Sequence, residues 1–146
     1  MKTVLITGGT GALGQALSRC LRDRGYKVLC TSRKSSSDDA TVHMELSDAA
    51  HVSSVIRALR PEFVIHLAAT FNSPFEDAYS VNVESARHLL NAIDAEDLKI
   101  RLVLAGSAAE YGLVAPEENP VREERLLHPV SVYGLTKSWQ TTLGLM

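Results

Sequence analysis

The sequence predicts an α/β fold, a parallel sheet doubly wound by helices, and three observations carry that reading. Short apolar runs of strand length recur at Val4–Ile6, Val28–Cys30, Thr41–Met44, Phe63–Leu67 and Ile100–Ala105. Stretches of helical periodicity separate most of them. The first run leads straight into a turn holding Gly8, Gly9, Gly11 and Gly14, and a helical pattern follows that turn. Strands that alternate with helices pair in parallel and are covered on both faces. A ligand then binds beyond the carboxyl ends of the strands.

The first strand, turn and helix carry the most information. Strand, glycine turn, helix is the context in which a glycine motif signals dinucleotide binding. Gly8 permits the tight turn, Gly11 lets the backbone approach a diphosphate, and Gly14 lets the helix pack close to the strand. The free N–H groups and positive end of the helix then face the anion. Gly8, Thr10, Gly11, Ala12, Leu13 and Gly14 form the expected cradle. In the helix, Leu13, Ala16, Leu17, Cys20 and Leu21 recur on one face, which predicts that this face is buried. Gly25 is a natural residue just past its end.

The second strand ends in Thr31-Ser32-Arg33-Lys34, where a dinucleotide fold meets the adenine ribose. An acidic residue there would repel a 2′-phosphate, whereas a guanidinium forks onto one. Arg33 and Lys34 therefore favour NADP, with NAD the alternative. An exposed basic pair, or an arginine stacked on adenine, would not choose between them. Ser35–Asp39 reads as a short polar loop, and Thr41–Met44 as the third strand. Ser47 or Asp48 caps the next helix, whose stripe is Val52, Val55, Ile56 and Leu59 and whose stop is Pro61. The fourth strand ends at Leu67, and Ala68 and Ala69 are small enough to lie under a flat ligand. His66, inside that strand, reads as a core or sheet-face residue. After the Thr70–Pro74 loop, Phe75 to Ala95 is helical, with Asn82, Ala86, Leu89, Leu90 and Ile93 on one stripe. Asn82 needs hydrogen-bond partners there if buried. The fifth strand runs into Gly106-Ser107-Ala108-Ala109-Glu110-Tyr111-Gly112 and a long loop from Gly112 to Pro129, expected to be functional or packed. A last helix holds Tyr133 and Lys137.

Bulk composition narrows the function. The 146 residues suggest one domain, and 45% hydrophobic with 22% charged residues suffices for a sizeable core. A net charge of -2 without a basic stripe argues against nucleic acid, and no apolar run reaches membrane-spanning length. The N-terminus enters a strand almost at once, which argues against a signal peptide and for the cytoplasm. Cys20 and Cys30 are expected to be buried free thiols. The five histidines show no metal-ligand spacing.

The chemistry is expected from three residues. Tyr133 and Lys137, four apart, share one helix face. An ammonium beside a phenol stabilises the phenolate, so the pair can exchange a proton with a carbonyl or alcohol oxygen. Ser107, beyond a strand's carboxyl end, can hydrogen-bond the same oxygen.

Taken together, these pieces resemble the extended short-chain dehydrogenase/reductases that act on nucleotide sugars. The resemblance rests on Thr7 to Gly14, Val64-Ile65-His66-Leu67-Ala68-Ala69, Asn82-Val83, Gly106-Ser107-Ala108 with Tyr111-Gly112, and Tyr133-Gly134-Leu135-Thr136-Lys137. It implies a Rossmann-like fold with Tyr133 as catalytic acid/base, Lys137 also on the nicotinamide ribose, and Ser107 on the substrate oxygen. It implies cofactor contacts at Glu45, Leu46, Leu67, Ala68 and Ala69, with Asn82 near the active site. It also implies a homodimer paired through the Asn82–Ile93 helix and the Tyr133 helix. Nucleotide-sugar dehydratases of the family carry an acidic base two positions after the catalytic serine or threonine. Here that position is Ala109, with Glu110 one later, which argues against a dehydratase. The loop from Pro116 to Pro129 looks most like that of 4-keto-reductases of 6-deoxy nucleotide sugars. The resulting expectation is an NADP-dependent reductase. An NAD-dependent 4-epimerase, or a dinucleotide binder without catalysis, is the alternative. Family members are longer than this chain, which stops inside the Tyr133 helix. The substrate lobe is thus expected to be absent and these 146 residues alone to be inactive.

Overall fold

A computed structural model describes residues 1–34, 36–96 and 99–146. Ser35, the first residue of the expected polar loop, lies outside the described residues. Five strands form one parallel sheet: β1 (Thr3–Thr7), β2 (Lys27–Ser32), β3 (Thr41–His43), β4 (Phe63–His66) and β5 (Arg101–Leu104). Their order is β3-β2-β1-β4-β5. The chain winds outward from β1 in one direction and then returns to its other side, so the switch point lies between β1 and β4. Val4 pairs with Val28 and Phe63, and Ile6 with Cys30 and Ile65. The Rossmann-like α/β expectation holds in strand number, sense and sequence position.

Alternation along the strands makes two cores. Leu5, Leu29 and Val64 point to one face, where they meet Val52 and Ile56 of α2 (Ala49–Leu59) and Leu89 and Ala92 of α4 (Ser85–Ala95). Val4, Ile6 and Val28 point to the other, against Leu17 and Leu21 of α1 (Ala12–Asp23). Asp48 caps α2, accepting the His51 N–H at 3.0 Å, and Arg60 ends it in a left-handed conformation before Pro61. Gly25, with φ +82°, ends α1 as expected.

Four expectations need correction. The buried side of α1 is Gly14, Leu17, Ser18 and Leu21; Leu13, Ala16 and Cys20 are exposed. The cause is the glycine turn. Gly14 sits so close to it that a Cβ would lie 2.5 Å from the Gly8 carbonyl oxygen, so the small residues of the helix face inward. Cys20 is therefore exposed, and Cys30 is half-buried with its Sγ 3.1 Å from Ser18 Oγ. Nor is the sheet covered evenly. On the α1 side, Phe63 and Ile65 are half-buried and Val103 is 48% exposed. The Phe75–Ala95 helix is also not uniform: α3 (Phe75–Tyr79) passes through a π-helical turn, Ser80–Glu84, into α4. Among the described residues no helix is long and apolar enough to cross a membrane.

Candidate active site

The site is built at the carboxyl end of the sheet, where the turn after β1 rests on the end of β4 and the last helix, α5 (Val132–Leu145), is bonded to Ala105 just after β5. The turn after β1 is seated on β4. Gly8 has φ +70°, and a Cβ there would lie 2.7 Å from Ala68 N and 2.8 Å from the Leu67 carbonyl carbon. Leu67 N–H donates to Thr7 O at 3.1 Å, closing the crevice between the two strands. Gly11 differs from its neighbours: a Cβ there would meet only the Gly8 oxygen, at 3.4 Å. Among the described residues no atom demands glycine at that position, whereas a ligand lying on the backbone would. Gly11 is also the N-cap of α1, and no side chain caps the helix. The first N–H groups of the helix, those of Ala12, Leu13 and Gly14, thus face outward from an uncapped positive end. Thr10 lends its carbonyl oxygen to the Gln15 amide at 2.8 Å. A cradle free of side chains at a 12-residue helix's N-terminus fits a dinucleotide diphosphate.

Arg33 and Lys34 are exposed beyond β2. Glu45, across the β2–β3 end, is held below the usual carboxylate range by hydrogen bonds from the Ser47 hydroxyl and N–H, and further by the charges of Arg33 and His43. Leu46 is half-buried against the core, and its carbonyl accepts His88 Nδ1–H at 2.8 Å. Ala68 is half-buried and Ala69 exposed at the crevice rim.

Asn82 is fully buried in the π turn. Its Oδ1 accepts Thr70 N–H at 2.8 Å, and its Nδ2 donates to Thr70 O at 3.2 Å and Thr136 Oγ1 at 2.9 Å. These bonds tie the loop after β4 to α5. Asn82 thus finds the partners its burial requires, and its amide acts on protein groups beside the site. Such π turns often occur at functional sites.

The turn that Ser107 caps packs against the first turn of α5, the helix that carries Tyr133 and Lys137. Ser107 ends the β5 segment and caps a 3₁₀ turn, Ala108–Tyr111. Its Oγ accepts the Ala109 N–H at 3.2 Å, which leaves the hydroxyl hydrogen to donate elsewhere. α5 lies against this turn so closely that a Cβ on Gly134 would stand 2.4 Å from Ala109 O. Ser131 caps the helix, accepting Gly134 N–H at 3.0 Å. Tyr133 is half-buried, its ring edge-on to Phe71 at 5.0 Å between centroids. It lines a cleft of about 320 Å³ with Thr70, Phe71, Asn72, Ser73 and Ala78. Lys137 is 2% exposed, and its Nζ donates to Ala105 O at 2.5 Å and Gln140 Oε1 at 2.7 Å. Two of three ammonium hydrogens are thereby placed, and one remains. Burial holds its pKa below the ordinary lysine value, and the Glu110 charge opposes that shift.

Two residues gain roles that the sequence did not reveal. Glu110 is buried and accepts the Ser107 N–H at 2.7 Å, so it braces the serine turn and offsets the Lys137 charge. Gln140 joins Lys137 to Ala105, whose oxygen its Nε2 also reaches at 3.1 Å. A polar residue three positions after a lysine on the buried side of a helix was the available signal.

His66 is also buried, and burial, aided by the Lys137 charge, lowers its pKa from 6.5 to about 3. It is neutral in the folded chain, whereas an unfolded chain takes up a proton as pH falls through 6.5. Stability is therefore complete above that pH and declines as pH falls towards 3, by up to about 1.4 kcal/mol per pH unit from this group. Urea unfolding of wild type and His66→Gln between pH 6 and 4 should show the variant's slope shallower by one proton; equal slopes would remove His66 from the acid limb.

The NAD dependent epimerase/dehydratase family model matches residues 4–143. The dTDP-4-dehydrorhamnose reductase of Streptomyces griseus is 33% identical over 138 residues, 91% of this chain and 41% of its own length. The UDP-glucose 4-epimerase of Lactobacillus helveticus is 31% identical over 147 residues, 92% of this chain and 43% of its own. The crystal structure of a short-chain dehydrogenase/reductase superfamily protein from Agrobacterium tumefaciens, with bound NAD, superposes with a TM-score of 0.84 at 33% identity. That alignment covers 97% of this chain and 44% of that one. The chain thus spans less than half the length of these relatives. With its glycine cradle at the β1–β4 switch point and Ser107, Tyr133 and Lys137 around the start of α5, the chain belongs to the NAD-dependent epimerase/dehydratase family.

Proposed function

We propose that this chain carries the dinucleotide site and the acid/base group of an NADP-dependent oxidoreductase that reduces the 4-keto group of a nucleotide-linked 6-deoxy sugar. The observation that supports this most is that the uncapped glycine turn and the Ser107 turn, with the Tyr133–Lys137 helix packed on it, lie at the same carboxyl end of the sheet. Gly8, Thr10, Gly11, Ala12, Leu13 and Gly14 would hold the diphosphate. Glu45, Leu46, Leu67, Ala68 and Ala69 would line the adenosine half, and Lys137 the far ribose, with Asn82 bracing that end. The bound nicotinamide supplies hydride. Tyr133 gives its proton to the carbonyl oxygen as negative charge gathers there, and the Ser107 hydroxyl donates to the same oxygen. The remaining Lys137 hydrogen favours the phenolate that results. Glu110 holds the Ser107 N–H in this reading and is given no role as a base toward the sugar.

Arg33 and Lys34 select the phosphorylated cofactor in this reading. A specific observation favours the second reading, an NAD-dependent 4-epimerase: Glu45 lies near Arg33 and partly offsets its charge. Calorimetric titration with NADPH and NADH separates the two. Tighter NADPH binding, with about a tenfold loss of that preference in Arg33→Ala, supports the reductase. Tighter NADH binding, indifferent to Arg33→Ala, moves the assignment to the epimerase. The proposal includes a homodimer through α3, α4 and α5, where Phe75, Tyr79 and Trp139 form a partly exposed aromatic cluster with centroids about 6 Å apart.

A further inference from the structure

Burial alone does not account for the hydrogen bonds of His66. The residue is 1% exposed on β4, with Nδ1 2.7 Å from Thr7 Oγ1 and Nε2 3.2 Å from Ser85 Oγ. Counting protons fixes the direction of each bond. Ser85 commits its one hydroxyl hydrogen to Val81 O at 2.5 Å, so its oxygen accepts from Nε2–H. A neutral imidazole carries a single N–H, so Nδ1 is an acceptor and the Thr7 hydroxyl donates to it. Thr7 Oγ1 in turn accepts the Ala68 N–H at 3.3 Å. The result is one continuous relay from Ala68 N–H through Thr7, His66 and Ser85 to Val81 O.

The ends of the relay matter. Thr7 is the last residue of β1, directly before Gly8, whose Cα is packed onto Leu67 and Ala68. Val81 lies in the π turn next to Asn82, whose amide holds Thr70 and Thr136 of α5. A π turn shifts the helical hydrogen-bond ladder, and a serine hydroxyl supplements it there. Each link donates one hydrogen and accepts another, so a change at one end alters the geometry at the other.

We infer that Thr7, His66 and Ser85 are positioning residues that fix the glycine cradle against β4 and against the turn bearing Asn82, with His66 as the neutral Nε2–H link. This rests on the dinucleotide-binding reading above. A relay that served only to satisfy buried polar groups would affect stability and leave affinity alone.

Calorimetry with NADPH and NADH on the folded chain distinguishes these. Thr7→Val and Ser85→Ala should each weaken the preferred dinucleotide about tenfold, the effect of losing one buried hydrogen bond from the cradle's support. Thr7→Ser, which keeps the hydroxyl, should bind as wild type. Val52→Ala, in the α2 core and outside the relay, should lower Tm without changing affinity. Nitrogen-15 NMR should find His66 as the Nε2–H tautomer. Wild-type affinity in Thr7→Val, losses that follow Tm in Val52→Ala as well, or an Nδ1–H tautomer would each overturn the inference. Should Thr7→Val fail to fold, Ser85→Ala at the far end carries the same test. A folded wild type that binds neither dinucleotide overturns the binding reading and the positioning role together; binding that ignores the relay variants overturns the role alone.

Discussion

Gly8→Ala should cost the chain its stability, while Gly11→Ala, three residues on, should cost it the dinucleotide. At Gly8 the backbone has φ +70°, and a Cβ would stand 2.7 Å from Ala68 N and 2.8 Å from the Leu67 carbonyl carbon. The first term costs an L-residue about 1 kcal/mol, and the overlap with backbone adds about 2 more, because no rotamer can move a main-chain atom aside. A loss of about 3 kcal/mol in a domain of this size lowers Tm by about 10 °C. At Gly11, φ is -72° and a Cβ would meet only an oxygen at 3.4 Å. Alanine fits the protein there, at a cost under about 1 kcal/mol for a poorer N-cap. Its methyl stands on the backbone where a diphosphate has to approach, so affinity should fall at least about a hundredfold. Thermal unfolding by circular dichroism and calorimetric titration read the two effects separately. A Gly11→Ala chain that binds NADPH and NADH like wild type would remove the diphosphate from this turn.

The contrast between these glycines also marks how far the sequence reaches. Four glycines between a strand and a helix were enough to place a tight turn, and the order of strands and helices was enough to predict a parallel sheet. Which glycine answers to protein and which to ligand depends on β4 lying against the turn, and that contact spans about sixty residues of chain. The face of α1 was misjudged for the same reason. Periodicity counts Ala16 and Cys20 as apolar, yet α1 approaches the glycine turn through Gly14 and β2 through Ser18, with Leu17 and Leu21 on the sheet between them. Asn82 was legible as a polar residue on an apolar stripe, because its burial demanded partners. The identity of those partners, Thr70 and Thr136, was not, since they lie on two other segments. That Tyr133 and Lys137 share one helix was legible from their spacing, which is local. Glu110 was flagged only as a base out of place; its bond to Ser107 N–H and its effect on Lys137 require the folded turn. Local spacing was therefore readable, and roles that depend on juxtaposition across the sheet were not.

In any polypeptide carrying these residues that turns over a nucleotide sugar, Tyr133→Phe should lower kcat about a thousandfold and leave dinucleotide affinity intact. The ring makes an edge-on contact with Phe71 at 5.0 Å, and phenylalanine keeps it, so the cleft wall and the N-terminal turn of α5 survive the change. What disappears is the proposed proton donor to the carbonyl oxygen; the Ser107 hydroxyl, in the same proposal, remains to polarise it. Lys137→Met should behave differently. It leaves Gln140 Oε1 buried without its donor, whereas Ala105 O keeps the Gln140 amide, so stability falls by about 1–3 kcal/mol along with kcat. Dinucleotide affinity should fall too, if the third ammonium hydrogen serves the ribose. Paired kinetics, titration and unfolding thus separate a group that acts on the reacting oxygen from one that also holds the cofactor and the helix. Retention of more than about a tenth of wild-type kcat in Tyr133→Phe would be too little loss for removal of a general acid, and would move the proton to another donor in the cleft.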